Sequence, residues 1–225
     1  MRVHRQIGGM LLSFILGGST FAQDEKPAEP SRLDKRVFGV LPNYRTVEQA
    51  KPFSPISSKA KMKIAAKDSF DYPMYFLAGV YAGIGQIQNS NPSLGQGMSG
   101  FANRYMRGYG DVVIGNFMTE GILPSMLHED PRYFRMGPSG GSGMHRTGYA
   151  LSRILVTKTD SGGSRFNTSE IAGNAATVGI ANAYYPDARS LKDNLGRFGV
   201  QVGTDTVSNV LKEFWPDIRQ KMFHR

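Results

Sequence analysis

The chain has no cysteine in its 225 residues. That excludes disulfides, thiolate nucleophiles and Cys-ligated metals, so stability has to come from packing. No run of 18 apolar residues follows the first 22, and the mean hydropathy is −0.32. A membrane-spanning helix is therefore not expected there. Acids are scarce: 18 Asp and Glu stand against 27 Lys and Arg, a net charge of +9. An excess of that sign suits anionic lipid, polysaccharide or nucleic acid as a partner.

What is present begins with an export signal. Arg2 and Arg5 open it, an apolar stretch of 12 residues interrupted only by Ser13 follows at 7–18, and Ser19-Thr20-Phe21-Ala22 ends on small residues. A positive start, a short apolar core and small residues at −3 and −1 are the parts of a signal peptide. The core is shorter than the roughly 20 residues of a spanning helix. Cleavage after Ala22 starts the mature protein at Gln23 and leaves 25 basic against 18 acidic residues, or +7. A retained N-terminal anchor is the competing reading. Export makes nucleic acid an unexpected partner. It makes an anionic membrane or envelope surface, in the periplasm or at the outer membrane, the expected setting.

The organisation read from the sequence is a signal peptide over 1–22, an irregular Pro- and charge-rich arm over 23–56, and a helical domain over 57–225. Pro27, Pro30, Pro42, Pro52 and Pro55 break regular structure in the arm. Its apolar patch at 37–41 predicts docking onto the folded body. Ser57 and Ser58 cap a helix that ends at Phe70. On it Lys59, Lys63 and Lys67 form a stripe that would fit anionic headgroups. Met62, Ala65 and Ala66 make only a thin apolar face, which favours a solvated charged stripe instead.

Asp71 caps a second helix with Pro73 in its first turn, and the apolar run 74–87 predicts that it is buried. Residues 96–107 and 111–128 predict two more helices, with Pro124 kinking or stopping the second. A polar, Gly-rich loop over 129–143 follows. Residues 149–156 fit a helix or a strand, and 156–163 pattern as a hairpin. Asn167 and Glu170 cap a helix over 168–185. A last helix over 190–214 stops at Pro216. Val200, Val207, Leu211 and Phe214 form its apolar face, with Gln201, Asp205, Asn209 and Lys212 turned to water. Ala172, Ala176, Gly179, Ala183, Gly196, Gly199 and Gly203 would let helices approach closely. The fold expected is all-α or mostly α, a compact bundle with glycine-mediated close packing. A membrane β-barrel would need many alternating segments of about ten residues, and only 153–166 resembles one.

Three local patterns suggest chemistry. Gly95, Gly97 and Gly100 match a dinucleotide-binding spacing, but Asn91-Pro92-Ser93 precedes them where a strand is required, so no cofactor is expected. Gly137, Ser139 and Gly141 match a nucleophile elbow with His145 nearby, but lie in a Gly/Ser loop that cannot hold nucleophile and base in register. The densest polar cluster is His128-Glu129-Asp130, followed by Arg132 and Arg135. It could serve acid–base chemistry, or hold one side of a metal if His145 or Asp205 came in as a further ligand. The alternative is a structural corner: His128 offsets a helix dipole while the arginines pair with acids. Neighbours in sequence point different ways, which favours the corner. Tyr133-Phe134, Tyr184-Tyr185-Pro186 and Phe214-Trp215-Pro216 read as aromatic closures of the core ends rather than as a carbohydrate platform.

The phrases at 129–135, 182–186 and 213–218 resemble those of exported bacterial proteins without assigned activity. The resemblance spans mainly 95–218 and implies no catalytic residue. The reading is thus an exported envelope protein that acts by contact, without cofactor or metal. A hydrolase using His128, Glu129 or Asp130 is one alternative, and an integral outer-membrane protein is another.

Overall fold

A computed structural model describes residues 36–39, 41–49 and 51–223. The expectations for the signal peptide and for residues 23–35 lie outside the described residues. Strands β1 (Arg36–Val37) and β2 (Leu41–Pro42) pair antiparallel. Val37 is buried, and the Phe38 ring lies 4.4 Å from that of Trp215. Strand β3 (Thr46–Glu48) runs parallel to β5 (Tyr133–Arg135), joining segments far apart in sequence.

Helix α1 (Ser58–Phe70) starts where the Ser57 hydroxyl accepts the Ala60 N–H. Asp71, in extended backbone, separates it from α2 (Tyr72–Ile87). The Asp71 carboxylate accepts the Tyr72 N–H and two hydrogen bonds from Arg36, at 3.0 and 2.8 Å. Helix α2 buries Met74, Ala78 and Ala82, while Tyr72, Phe76, Val80 and Ile87 stay exposed. The expectation of a buried helix is thus corrected: α2 packs on α3 along one side, and an apolar sequence does not compel cover on the other.

The two helices expected over 96–128 are one continuous rod. Helix α3 (Gly97–Asn116) passes through Gly108 and Gly110, widens into a π-turn (Phe117–Ile122), and continues as α4 (Leu123–Leu127). The wide turn accommodates Pro124, which has no N–H to donate and whose ring crowds the carbonyl four residues back. His128 ends the rod in left-handed backbone at φ 55°.

Strands β4 (Glu129–Asp130) and β5 lie in what reads as loop. Helix α5 (Gly143–Ser152) precedes the hairpin β6 (Val156–Thr159) and β7 (Ser164–Phe166), and β4 pairs with β6. The ambiguous stretch 149–156 is therefore the end of a helix and the start of a strand. Strands of two to four residues are far short of the roughly ten of a membrane barrel.

The Asn167 side chain caps α6 (Thr168–Ala181) at the Glu170 N–H, 3.2 Å away. Helix α7 (Leu191–Phe223) runs through Pro216 instead of stopping there. Arg135 Nε and Arg146 Nη2 donate to the Glu213 carbonyl at 2.8 and 3.0 Å. That satisfies a carbonyl in the stretch where proline disturbs the helical ladder.

The fold is mostly helical, with close approach at two glycines. A Cβ on Gly121 would meet Met62 Sδ at 2.9 Å, and one on Gly173 would meet Thr119 Cγ2 at 2.7 Å and its backbone N at 3.1 Å. A Cβ on Gly179, Gly196, Gly199 or Gly203, proposed for this role from spacing, would meet no packed neighbour within 4 Å. Gly173→Val should lower stability by roughly 1–3 kcal/mol through overpacking, measured as a shifted urea midpoint. An unchanged midpoint would mean that α6 can step back from the π-turn freely.

Candidate functional site

The polar residues of α7 expected to face water point inward. Asn209 and Lys212 are buried, whereas Val207, assigned to the apolar face, is 53% exposed. The reason lies on the facing elements, which present buried acids: Asp68 on α1, Glu120 in the π-turn and Glu170 on α6. Arg45, just before β3, adds a cation whose Nη1 is 2.6 Å from Glu120 Oε1. Asn174 Nδ2 bridges two acids, donating to Glu170 Oε1 at 3.1 Å and Asp205 Oδ2 at 3.3 Å.

Four carboxyl groups face two cations here, and burial resolves the imbalance by retaining protons. Desolvation, with the Glu120 charge beside it, pushes the Asp68 carboxyl well above its usual range. Desolvation and Asp205 do the same to Glu170. Asp68 and Glu170 are thus held toward their neutral forms beside Arg45 and Lys212. Lys212, 1% exposed, is pushed down to about 8 by burial and then by Arg45.

Beside this ionic core lies a cavity of about 40 Å³. Arg45, Glu170, Asp205 and Asn209 line it, together with Glu129 and Asp130. Such a space holds a few waters. Arg45 Nε and Ser169 Oγ are buried in its wall without a hydrogen-bond partner.

The residues singled out from the sequence fall differently. Glu129 and Asp130 reach this cavity, but His128 does not. The His128 side chain is 82% exposed, with Nδ1 3.8 Å from Asp160 Oδ2. Glu129 Oε2 accepts the Ser169 N–H at 2.8 Å, and its other oxygen is 3.2 Å from Arg165 Nε. Asp130 is held by Arg132 through bonds of 2.9 and 2.6 Å. The three do not converge. His145 Nδ1 is 3.0 Å from the Gly140 carbonyl. Among the described residues no group of His, Asp and Glu is placed to hold a metal. Sequence reasoning missed Arg45, Asp68, Glu120, Glu170 and Lys212. The usable signal was polar pairs at helical spacing, Asn116 with Glu120 and Glu170 with Asn174.

The exterior is one-sided in charge. Among the described residues only Asp187 is an exposed acid, while Lys51, Lys59, Lys63, Arg165, Arg189, Lys192, Arg219 and Lys221 are exposed bases. Among the described residues the exposed charge is therefore more one-sidedly positive than the composition. No helix among the described residues is long and apolar enough to cross a membrane. Neither a family model, nor a curated protein, nor a solved structure matches this chain.

Proposed function

We propose that this is an exported cell-envelope protein that acts by contact with an anionic surface rather than by catalysis. The observation that carries the reading is the charge of the exterior: among the described residues eight bases are exposed against one acid, Asp187. The leader-like start and the resemblance to exported bacterial proteins support the location. Of the lysines that suggested a contact stripe, Lys59 and Lys63 are exposed, and Lys67 is half-buried. Lys67 Nζ lies 5.6 Å from the Tyr44 ring centre.

A hydrolase is the second reading, favoured by the buried Glu170 carboxyl at the cavity, which burial and then Asp205 push well above its usual range. An acid held toward its neutral form beside a second carboxyl group is suited to acid–base cleavage. It ranks below contact because the cavity admits water rather than a substrate, and because Glu129 and Asp130 are already engaged. Fractionation of cells expressing a tagged chain tests the first reading. The expected result is mature protein starting at Gln23, retained with envelope and released by high salt. Full-length protein in the cytoplasm would overturn it.

A further inference from the structure

We propose that the outward face of α2 is the surface by which this protein seats itself in the interfacial layer of an anionic lipid bilayer. The proposal rests on the contact reading above and names its partner and its docking face. Over its 16 residues α2 carries no charge. Tyr72, Phe76, Val80 and Ile87, spaced four, four and seven apart, are exposed by 67, 73, 38 and 87%. At 1.5 Å per residue they form a stripe roughly 22 Å long. Isolated exposed apolar side chains need no explanation, whereas a continuous uncharged helical stripe marks an interaction surface.

Charge selects the occupant. A second copy would bring the same basic exterior against itself, since Asp187 is the only exposed acid among the described residues. A soluble polyanion would engage the bases but leave the stripe in water. A bilayer with anionic headgroups matches both, with acyl chains for the stripe and phosphates for the bases. The corner at Tyr72 has the composition of a headgroup layer. The Arg36 guanidinium is 4.7 Å from the Tyr72 ring centre and 5.9 Å from that of Tyr44, which Lys67 also approaches. Arg36 is neutralised by Asp71 and so fixes the rings in place. Lys59, exposed at the start of α1, and Lys51 before it add to the basic exterior. Helix α2 would lie along the surface with its stripe below the phosphates.

Flotation of the purified chain tests this with two vesicle preparations, phosphatidylcholine alone and phosphatidylcholine mixed with phosphatidylglycerol. Binding is expected on the mixed vesicles only, weakening as salt rises. Phe76→Ser with Ile87→Ser should reduce the partition coefficient at least about tenfold, with the urea midpoint unchanged because both side chains lie outside. Phe76→Trp supplies a readout that does not depend on that double variant folding. The emission of the introduced indole should move to shorter wavelength on mixed vesicles. Absence of binding, equal binding to neutral vesicles, undiminished binding of the double variant or unshifted emission from the Phe76→Trp variant would each overturn the proposal. Envelope retention in cells combined with failed flotation would leave the contact reading standing and remove only the lipid face. Flotation by a chain found in the cytoplasm would do the reverse.

Discussion

Glu213→Ala should destabilise the fold by about 3–5 kcal/mol, the range for breaking a buried ion pair from one side. Glu213 is wholly buried, and its two carboxylate oxygens accept four hydrogen bonds. Oε2 takes the Tyr133 hydroxyl at 2.8 Å and the Met136 N–H at 3.0 Å. Oε1 takes the Gly137 N–H at 2.9 Å and Arg146 Nε at 2.8 Å. Removing the acceptor strands two backbone donors, a phenol and part of a guanidinium in a space that water does not fill. Arg146 keeps Asp217 at 2.6 Å, which moderates the loss. Glu213→Gln should also be strongly destabilising, because its amide would point donors at donors. Equilibrium urea unfolding checks both variants. A shift of under about 1 kcal/mol for the alanine variant would mean that the network closes on itself without the carboxylate.

Asp68→Asn should do the opposite, raising stability at pH 8 relative to pH 5 by at least about 1 kcal/mol compared with the parent protein. In the folded protein Asp68 and Glu170 hold their protons well above the carboxylate range, driven first by burial. The unfolded chain releases the same protons near pH 4. The folded state then binds more protons, so stability falls as pH rises from about 4 through the raised values. Asp111 adds to this, being pushed up to about 6 by burial. Lys212 acts in the opposite sense at higher pH. It releases its proton near 8 when folded and at its ordinary 10.5 when unfolded, so stability recovers across that interval. An asparagine keeps the shape and donor of the protonated acid and cannot ionise. Glu170→Gln should flatten the profile in the same way. Equal losses at both pH values would show instead that Asp68 is needed as a carboxylate against Arg45 and Lys212.

Local signals were legible where local chemistry decides the structure. Ser57, Asp71 and Asn167 cap the helices their spacing predicts, and the Val156 hairpin forms. What failed was deciding which face of a helix turns inward. Periodicity groups Asp205, Asn209 and Lys212 on one side of α7, but nothing local says that the facing elements hold complementary charges. On α2 the converse applies, because a nearly all-apolar helix has no polar side to mark the exterior. The continuous rod through Gly108 and Gly110 was hidden for a related reason. Each glycine costs about 1 kcal/mol in a helix, and packing against α2 outweighs a penalty that the sequence shows without its compensation. His128, Glu129 and Asp130 drew attention as neighbours in sequence. The ionic core instead collects its members from widely separated positions, 45, 68, 120, 170, 205 and 212.

That wide spacing dictates an order of assembly. Synthesis delivers Arg45 and β3 long before β5, with which β3 pairs, and delivers Lys212 last of the core members. Contacts this distant along the chain form slowly, because their loops must close first. An incomplete chain cannot seal its acids away, since the bases that would neutralise them have not all been made. Completion of the ionic core therefore requires the final helix, which carries Asp205 and Lys212.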